Sequence, residues 1–232
     1  MELAIARTEL EPMELVCDGW IHAFGTYYPR WCALKHQHSP WSKAVILAKR
    51  RAWGVIDRFG VMIAHRMGRW IRDDYGYVIT HVPAEPDPVQ YLFSDYGRGA
   101  PDLLAESIYT HLGHRGNVRL ETLIVQLRSK KQKQHQCDNM AQRAANVRGL
   151  YAVSDKAAVE GQHVILVDDV LTSGATMREC ARVLHEAGAL SVTGVALART
   201  VRKQDGNSGT EEDEQYEKIM PADALMAGSV AG

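Results

Sequence analysis

The sequence lacks the features of a membrane-spanning or disulfide-stabilised protein. No apolar run approaches the roughly 18 residues that a transmembrane helix needs. The N-terminus has no basic segment followed by an apolar one, so no secretory signal is evident. The four cysteines are scattered and form no Cys-x-x-Cys pair, which is typical of a reduced cytosolic protein. We therefore expect a cytoplasmic location and no membrane contact.

The sequence also has no excess of charge of one sign. Its 27 lysine and arginine residues balance 28 aspartate and glutamate residues, which leaves a net charge of −1 at pH 7. This balance excludes a protein whose whole surface binds polyanions, although local basic patches remain compatible with it. A chain of 232 residues has room for one large domain with a small extra lobe.

A zinc site is one interpretation of the N-terminal segment. Cys17, His22, Cys32 and His36 could supply four ligands, but their spacings are looser than those of structural zinc sites. Packed thiols and surface histidines are the favoured alternative.

Composition divides the chain into three expected segments. Residues 1–42 contain a short alternating strand, Trp20–Phe24, and otherwise predict an irregular hood. Residues 43–203 carry the clearest helix and strand patterns. Residues 204–232 hold seven acidic residues and no periodicity, which predicts a flexible acidic tail.

Within residues 43–203 the apolar spacing predicts alternating helices and strands. Helical spacing covers residues 42–72 and returns over 104–112, whereas Tyr77–Val82 is typical of a strand. The intervening residues 84–101 are rich in proline and glycine and predict a loop.

The clearest pattern begins at Val164–Val167, a continuous apolar run typical of a parallel strand buried on both faces. A helix over residues 175–187 follows, with Gly188 at its expected C-terminal cap, and Val192–Leu197 is the next strand. This order predicts an α/β fold with an open, mostly parallel sheet flanked by helices.

The segment that carries the chemistry lies between that strand and that helix. Two adjacent acids, Asp168 and Asp169, arrive at the carboxyl end of the strand, where open α/β sheets bind ligands. The turn over residues 172–176 is small and rich in hydroxyls, and it offers backbone N–H groups and a helix dipole to an anion. Carboxylates accept hydrogen bonds from sugar hydroxyls but repel phosphate. We therefore predict a sugar phosphate ligand, with its ribose on the acids and its phosphate in the turn.

Other phosphate-binding and acidic motifs fit this segment poorly. A P-loop needs a lysine after its second glycine, and a dinucleotide-binding fold needs Gly-x-Gly-x-x-Gly after its first strand. Neither is present. A receiver domain carries its acidic pair near the N-terminus, and a purely structural turn has little need of two acids followed by small and hydroxyl residues.

A basic segment precedes the motif. Residues 115–148 hold eight basic residues and two acidic ones, and residues 128–142 have almost no large apolar side chain, so they cannot cover a core. Composition alone favours a solvated loop. The alternative is a mobile basic flap that closes on an anion.

The motif at Val164 to Thr176 resembles the phosphoribosyl pyrophosphate (PRPP) signature of the type I phosphoribosyltransferases: four apolar residues, two acids and then Thr-x-Gly-x-Thr. Within that superfamily the chain is most similar to the ComF-type competence group. Ala187–Ala189 matches the Ala-Gly-Ala of that group, and Arg143–Tyr151 resembles its Arg-x-x-Asn-x-x-Gly-x-Phe segment. The group's N-terminal zinc ribbon has no counterpart here.

The resemblance implies transfer of a 5-phosphoribosyl group from PRPP to a nitrogenous acceptor, a nucleobase or an amine, with release of pyrophosphate. Asp168 and Asp169 would bind the ribose hydroxyls and hold Mg²⁺, largely through water. The implied ligands of the 5′-phosphate are Thr172, Ser173, Gly174, Ala175 and Thr176. Pro83 and Ala84 take the place of the family's pyrophosphate loop.

The resemblance also favours the flap over the solvated loop. Type I transferases close a mobile loop over PRPP, so Arg128, Lys130, Lys131 and Lys133 would contact the pyrophosphate. Arg128 and Lys131 are therefore expected catalytic residues beside the two acids. Thr172 stands where enzymes that salvage 6-oxopurines have aspartate, which argues against that specificity. A homodimer is expected because dimers are common in the superfamily.

A second function class stays open. Type I folds also serve as PRPP-sensing modules without turnover, and the ComF-type group is linked to DNA uptake. Such an accessory protein would contact single-stranded DNA through residues 115–148. The absence of aromatic residues between 111 and 149 counts against base stacking and leaves at most a weak nucleic-acid contact.

Overall fold

The structure is a computed structural model, and it describes residues 13–15, 19–29, 32, 39–83, 98–113, 115–128 and 140–201. The predicted acidic tail lies outside these residues. So do Ala84 and the lysines of the predicted flap, Lys130, Lys131 and Lys133. No helix in the described part of the chain is long and apolar enough to cross a bilayer.

Nine strands occur in the described residues. They are β1 (Met13–Glu14), β2 (Trp20–Ala23), β3 (Thr26–Tyr27), β4 (Tyr77–His81), β5 (Val118–Leu120), β6 (Ile124–Gln126), β7 (Tyr151–Val153), β8 (His163–Leu171) and β9 (Ser191–Thr200). Seven of them form the main sheet in the order β1-β2-β9-β8-β4-β5, and β3 also pairs with β9. Every pair in this sheet is parallel except β1 with β2. The predicted open, mostly parallel sheet is confirmed.

The part of the chain that the structure describes also contains five helices: α1 (Pro40–Lys49), α2 (Trp53–Met67), α3 (Ala100–Leu112), α4 (Met140–Val147) and α5 (Ala175–Glu186). Buried residues of β8 alternate between two cores. Val164 and Leu166 pack with α5, whereas Ile165 and Val167 pack with α1, α2 and α3. The central strand is therefore covered on both faces, as its continuous apolar run predicts.

The helical pattern over residues 42–72 resolves into two helices rather than one. Arg51 between them has a φ of 63°, a left-handed conformation that ends α1. The apolar spacing continues through this break because both helices bury residues in the same core. Sequence periodicity therefore predicted the buried face correctly and missed the turn.

The expected hood segment contributes directly to the main sheet. The predicted strand at Trp20 is present as β2, which pairs with β9 from Ile21↔Gly194 to Ala23↔Ala196. Helix α1 runs across the predicted boundary at residue 42. The three-segment division stays a prediction, but the first segment supplies strands of the main sheet rather than only irregular structure.

The predicted loop over residues 84–101 ends earlier than expected. Helix α3 begins at Ala100, so Pro101 lies in its first turn, where the missing N–H would have no helical partner. Sequence analysis also missed β5, β6, β7 and α4. Strands of three residues are too short to show a period, and α4 is polar enough to be mistaken for a charged loop.

The end of α5 confirms the expected cap. Gly188 has a φ of 99°, which favours glycine. Its N–H donates to the His185 carbonyl at 2.9 Å, and the Ala189 N–H donates to the Leu184 carbonyl at 3.1 Å. The chain thereby reverses tightly into β9.

Gly60 lies where α2 packs closely against Ser107 of α3. A Cβ at this position would lie 2.6 Å from Ser107 Cβ and 3.0 Å from the Ser107 carbonyl carbon. We predict that Gly60→Ala lowers the free energy of unfolding by about 1–3 kcal/mol, because the two helices would have to move apart.

Gly54→Ala in the same helix is the matched control, since a Cβ there meets nothing within 4 Å. We expect it to leave stability unchanged or to raise it by up to about 1 kcal/mol, because alanine favours helix. Urea denaturation measures both variants. Equal stability of the two would contradict the close helix contact.

Candidate functional site

The acidic pair lies where β8 extends beyond the end of the neighbouring strand β4. Pairing with β4 ends at His81↔Val167, followed by a 2.9 Å hydrogen bond from the Val82 N–H to the Val167 carbonyl. Pairing with β9 continues to Leu171. The strand is longer than predicted, and Asp168 and Asp169 belong to it. They nevertheless lie beyond the end of β4, at the carboxyl edge of the sheet.

Both carboxylates are held close to their own backbone. Asp168 Oδ1 accepts a hydrogen bond from the Asp169 N–H at 2.8 Å, and Asp169 Oδ1 accepts one from the Val170 N–H at 2.6 Å. These bonds restrict the side-chain rotamers. The acids are therefore presented in defined orientations rather than on a loose loop.

Lys49 is a site residue that sequence analysis missed. Its Nζ donates to Asp169 Oδ2 at 3.0 Å from the last position of α1. Burial alone would lower the pKa of Lys49, but the charge and hydrogen bond of Asp169, with smaller effects of Asp168 and Tyr27, raise it overall. The ammonium therefore stays charged. The two residues are 120 positions apart, so no local pattern connects them.

The turn over residues 172–176 opens directly into α5, as predicted. Gly174 is the N-cap residue and has a φ of 73°. Ser173 is buried, and its hydroxyl accepts from the Ala175 N–H at 3.3 Å. Thr172 is exposed and Thr176 is half-buried. The buried Ser173 hydroxyl thus holds the inside of the turn, and the hydroxyls of Thr172 and Thr176 lie at its two ends.

Arg178 is a second cation that sequence analysis missed. Its Nη1 donates to the Ser173 carbonyl at 2.7 Å, which braces the turn from one helical turn further along α5. Its spacing of five residues from Ser173 could have suggested this contact. The guanidinium adds positive charge beside the start of the helix.

The predicted pyrophosphate-binding residues are only partly described. Pro83 follows β4 at the same sheet edge and is half-buried, whereas Ala84 lies outside the described residues. Arg128 is exposed, and its Nη2 approaches the Arg148 carbonyl at 3.5 Å. The flap and its residue Lys131 stay a prediction.

Two of the basic residues counted in the segment 115–148 have structural partners. Arg115 donates to the carbonyls of Ile71 and Gly68 at 2.9 and 3.0 Å. Arg119 pairs with Glu121 at 2.9 Å. Fewer basic side chains of this segment are therefore available to a ligand than its composition suggests.

A charged network connects the end of β4 to the start of α3. Arg98 binds both oxygens of Asp102, at 2.7 and 2.8 Å, and also Glu106 at 2.8 Å. His81 Nε2 lies 3.9 Å from Asp102 Oδ1. Burial would raise the pKa of Asp102, but Arg98 and His81 outweigh it and lower the pKa. The network thus connects the end of β4 to the first turn of α3, the two elements between which residues 84–97 lie.

The donor set at the acids suits Mg²⁺ rather than a metal held by protein alone. No group of three or more His, Cys, Asp or Glu side chains in the described ranges is placed to hold a metal. Mg²⁺ prefers one or two carboxylates completed by phosphates and water, and Asp168 and Asp169 supply such oxygens. The residues therefore fit a metal that arrives with a phosphorylated ligand.

The structure describes only two of the four candidate zinc ligands, because Cys17 and His36 lie outside the described residues. His22 stacks on Trp70 with ring centroids 4.3 Å apart. A packed aromatic contact accounts for this histidine.

Glu179 joins α5 to the turn that follows α4. Its Oε1 accepts from the Gly149 N–H at 2.7 Å, and both its oxygens accept from Arg182 at 2.7 and 3.0 Å. The Arg182 hydrogen bonds lower the pKa of this buried carboxyl, with a further contribution from the Gly149 N–H. The charged form of Glu179 is therefore the stabilising one.

We predict that Glu179→Gln lowers the free energy of unfolding at pH 7 by about 1–3 kcal/mol, because charge-assisted hydrogen bonds weaken. A depressed folded pKa means that this stability is present above the ordinary value of 4.5 and is lost as pH falls through the lower folded value. The difference between the variant and wild type should shrink over that range.

Glu186→Gln is the control, since it removes the exposed partner of the same Arg182. We expect a change within about 0.5 kcal/mol. Urea denaturation at pH 7 and at successively lower pH measures all three proteins. A pH-independent gap would contradict the assigned role of the Glu179 charge.

Comparison with known proteins places this site in a family. The model of the phosphoribosyl transferase domain matches residues 102–229, more than half of the chain. Orotate phosphoribosyltransferase of Halorhodospira halophila is 40% identical over 60 residues, or 25% of this chain and 28% of that protein. The Acinetobacter baumannii enzyme of the same name is 42% identical over 72 residues, or 30% and 32%. The chain thus matches less than a third of these relatives.

Two solved structures are also similar. An allosteric regulatory enzyme of purine biosynthesis is 22% identical at a TM-score of 0.37, over 60% of this chain and 25% of that one. Purine phosphoribosyltransferase from Pyrococcus horikoshii is 13% identical at 0.36, over 76% and 88%. The assignment rests on the family model, whose match includes the acidic pair and the turn into α5. The chain belongs to the phosphoribosyl transferase domain family.

Proposed function

We propose that the protein binds PRPP and transfers its 5-phosphoribosyl group to a nitrogenous acceptor, with release of pyrophosphate. The observation that carries this proposal is the acidic pair at the sheet edge followed at once by the Gly174 turn at the start of α5. A ligand with vicinal hydroxyls and a nearby phosphate matches this order of groups.

In this proposal the chain binds the sugar phosphate in two parts. Asp168 and Asp169 accept hydrogen bonds from the 2′- and 3′-hydroxyls of ribose. Backbone N–H groups and hydroxyls of residues 172–176 hold the 5′-phosphate, and the dipole of α5 favours its charge. The Arg178 contact to the Ser173 carbonyl keeps the turn in shape.

The reaction breaks the bond between ribose C1 and a pyrophosphate oxygen, which leaves with the electron pair. The acceptor nitrogen forms the new bond to C1 and loses a proton. Catalysis then consists of neutralising the leaving group and positioning the acceptor. We propose Arg128, Lys131 and the region of Pro83 and Ala84 for the first task. Mg²⁺, when bound, neutralises part of the pyrophosphate charge.

The acceptor is proposed only as a class, a nucleobase or an amine. Thr172 argues against 6-oxopurines, and the similarity to orotate enzymes is local. Membership of the ComF-type group, a cytoplasmic location and a homodimer belong to the same proposal and rest on the sequence patterns described above.

The alternative, a PRPP-sensing accessory protein that contacts single-stranded DNA, has less support. It depends on the basic segment 115–148, where Arg115 and Arg119 have structural partners. These partners leave fewer basic side chains of the segment for DNA, so we propose the transferase ahead of this alternative.

We predict that Asp168→Asn/Asp169→Asn abolishes PRPP binding, because amides accept hydrogen bonds weakly and bind Mg²⁺ poorly. Calorimetric titration of PRPP with Mg²⁺ into both proteins measures this. Wild-type binding would justify assays of pyrophosphate release with a panel of nucleobases and amines. A folded wild type that does not bind PRPP would overturn the proposed function.

We also predict that Gly174→Ala weakens PRPP binding at least tenfold, because an L-residue strains the left-handed turn at the phosphate. Gly161→Ala is the matched control. Its φ of 71° imposes similar strain on the turn that precedes β8, at the opposite end of the strand. Similar losses of thermal stability with a binding loss only in Gly174→Ala would support the assignment, whereas equal binding losses would contradict it.

A further inference from the structure

A cation lies at the acidic pair on the side of the sheet opposite to α5. Helix α1 packs Val45 and Ala48 into the core that it shares with α2 and α3, whereas α5 packs Met177 and Cys180 into the other core. The two helices therefore cover opposite faces of the sheet. Both reach its carboxyl edge, α5 with its first turn and α1 with its last residue, Lys49.

Lys49 is held in place by its helix and by Asp169. Val45 and Ala48, which precede it within one helical turn, are fully buried, and its Nζ donates to Asp169 Oδ2 at 3.0 Å. Directly after the helix, the Arg51 N–H donates to the Ala48 carbonyl at 2.8 Å and turns the chain away. The amine is therefore presented from a packed element rather than from a loop.

The ammonium of Lys49 keeps donors for a ligand. Asp169 accepts from one of its three N–H groups, and 43% of the lysine side chain is exposed. A ligand at the sheet edge can therefore reach the remaining N–H groups while the ion pair with Asp169 stays intact.

The ribose ring determines which part of PRPP this cation meets. In the proposed binding mode, the 5′-phosphate lies in the turn that begins α5, and the 2′- and 3′-hydroxyls lie on the two acids. Ribose C1 and C4 flank the two carbons that carry these hydroxyls. A ribose whose C4 side faces α5 therefore directs its C1 side, which carries the pyrophosphate, toward α1.

We propose that Lys49 is a ligand of the pyrophosphate of PRPP and donates hydrogen bonds to it while it stays paired with Asp169. This inference rests on the proposed function and adds a cation on a packed helix to those of the predicted flap. As the bond from C1 to the pyrophosphate oxygen breaks, the electron pair leaves with that oxygen. The Lys49 N–H groups stabilise the resulting charge without transferring a proton.

The proposal predicts a loss of affinity that is confined to ligands with a pyrophosphate. In Lys49→Met, PRPP binding in the presence of Mg²⁺ should weaken by at least about tenfold, because a charge-assisted hydrogen bond to phosphate is lost. Binding of ribose 5-phosphate should stay within about threefold of wild type, because its hydroxyls and its phosphate have other partners. A lysine that only oriented Asp169 or anchored α1 would weaken both ligands alike.

Two further variants locate the effect. Lys49→Arg keeps a cation at the end of α1 and should hold PRPP binding within about threefold of wild type. Lys43→Met is the matched control, because it removes an exposed lysine near the start of the same helix. We expect it to change the affinity for neither ligand.

Calorimetry measures PRPP binding, and displacement of PRPP measures the weaker ribose 5-phosphate, with circular dichroism melts to check folding. Unchanged PRPP binding in Lys49→Met, equal losses for both ligands, or no displacement by ribose 5-phosphate overturns the inference. If Lys49→Met does not fold, Lys49→Gln takes its place. Each of these outcomes requires a wild type that binds PRPP, whereas a folded wild type that does not bind it rejects the proposed function itself.

Discussion

The unequal pairing of β8 is the constraint on which the rest of the site depends. This strand is hydrogen-bonded to β4 only as far as Val167 but to β9 as far as Leu171. The acidic residues therefore lie beyond the last pairing with β4, while β9 still flanks them on the other side. Both faces of β8 are packed, so the strand cannot shift without moving two cores.

Three carboxylates on the elements that surround the motif are paired with cations. Lys49 of α1 pairs with Asp169, Arg98 binds Asp102 of α3, and Arg182 binds Glu179 within α5. In the proposed function, carboxylates that bind a sugar must still admit phosphates. Pairing an acid with a cation serves both demands, because it lowers the negative charge without removing the hydrogen-bond acceptors.

The second packed face connects the motif to the turn that follows α4. Helix α5 begins at the turn over residues 172–176, and its Glu179 accepts from the Gly149 N–H after α4. The same face includes the β6–β7 pair, and β6 is soon followed by residues 128–142. Helix α5 therefore supports both the predicted phosphate-binding turn and the strand pair that precedes the predicted flap.

The amino-acid sequence alone was sufficient for the fold class, the central strand, the helix 175–187 with its glycine cap, and the acidic turn. Those features depend on neighbours in the chain: an apolar run for a buried strand, a glycine where φ is positive, and acids next to a hydroxyl-rich turn. Short elements such as β6 and α4 escaped prediction, because three-residue strands and polar helices are specified by what they pack against.

Only the tertiary structure decided which charges meet. Lys49 reaches Asp169 across 120 residues because α1 is packed against the same core as β8. Arg115 looked like part of a basic surface and instead binds the carbonyls of Gly68 and Ile71. A residue type and a spacing can specify the chemistry of one turn, but the electrostatic balance of a site depends on distances between remote segments, which are set by packing.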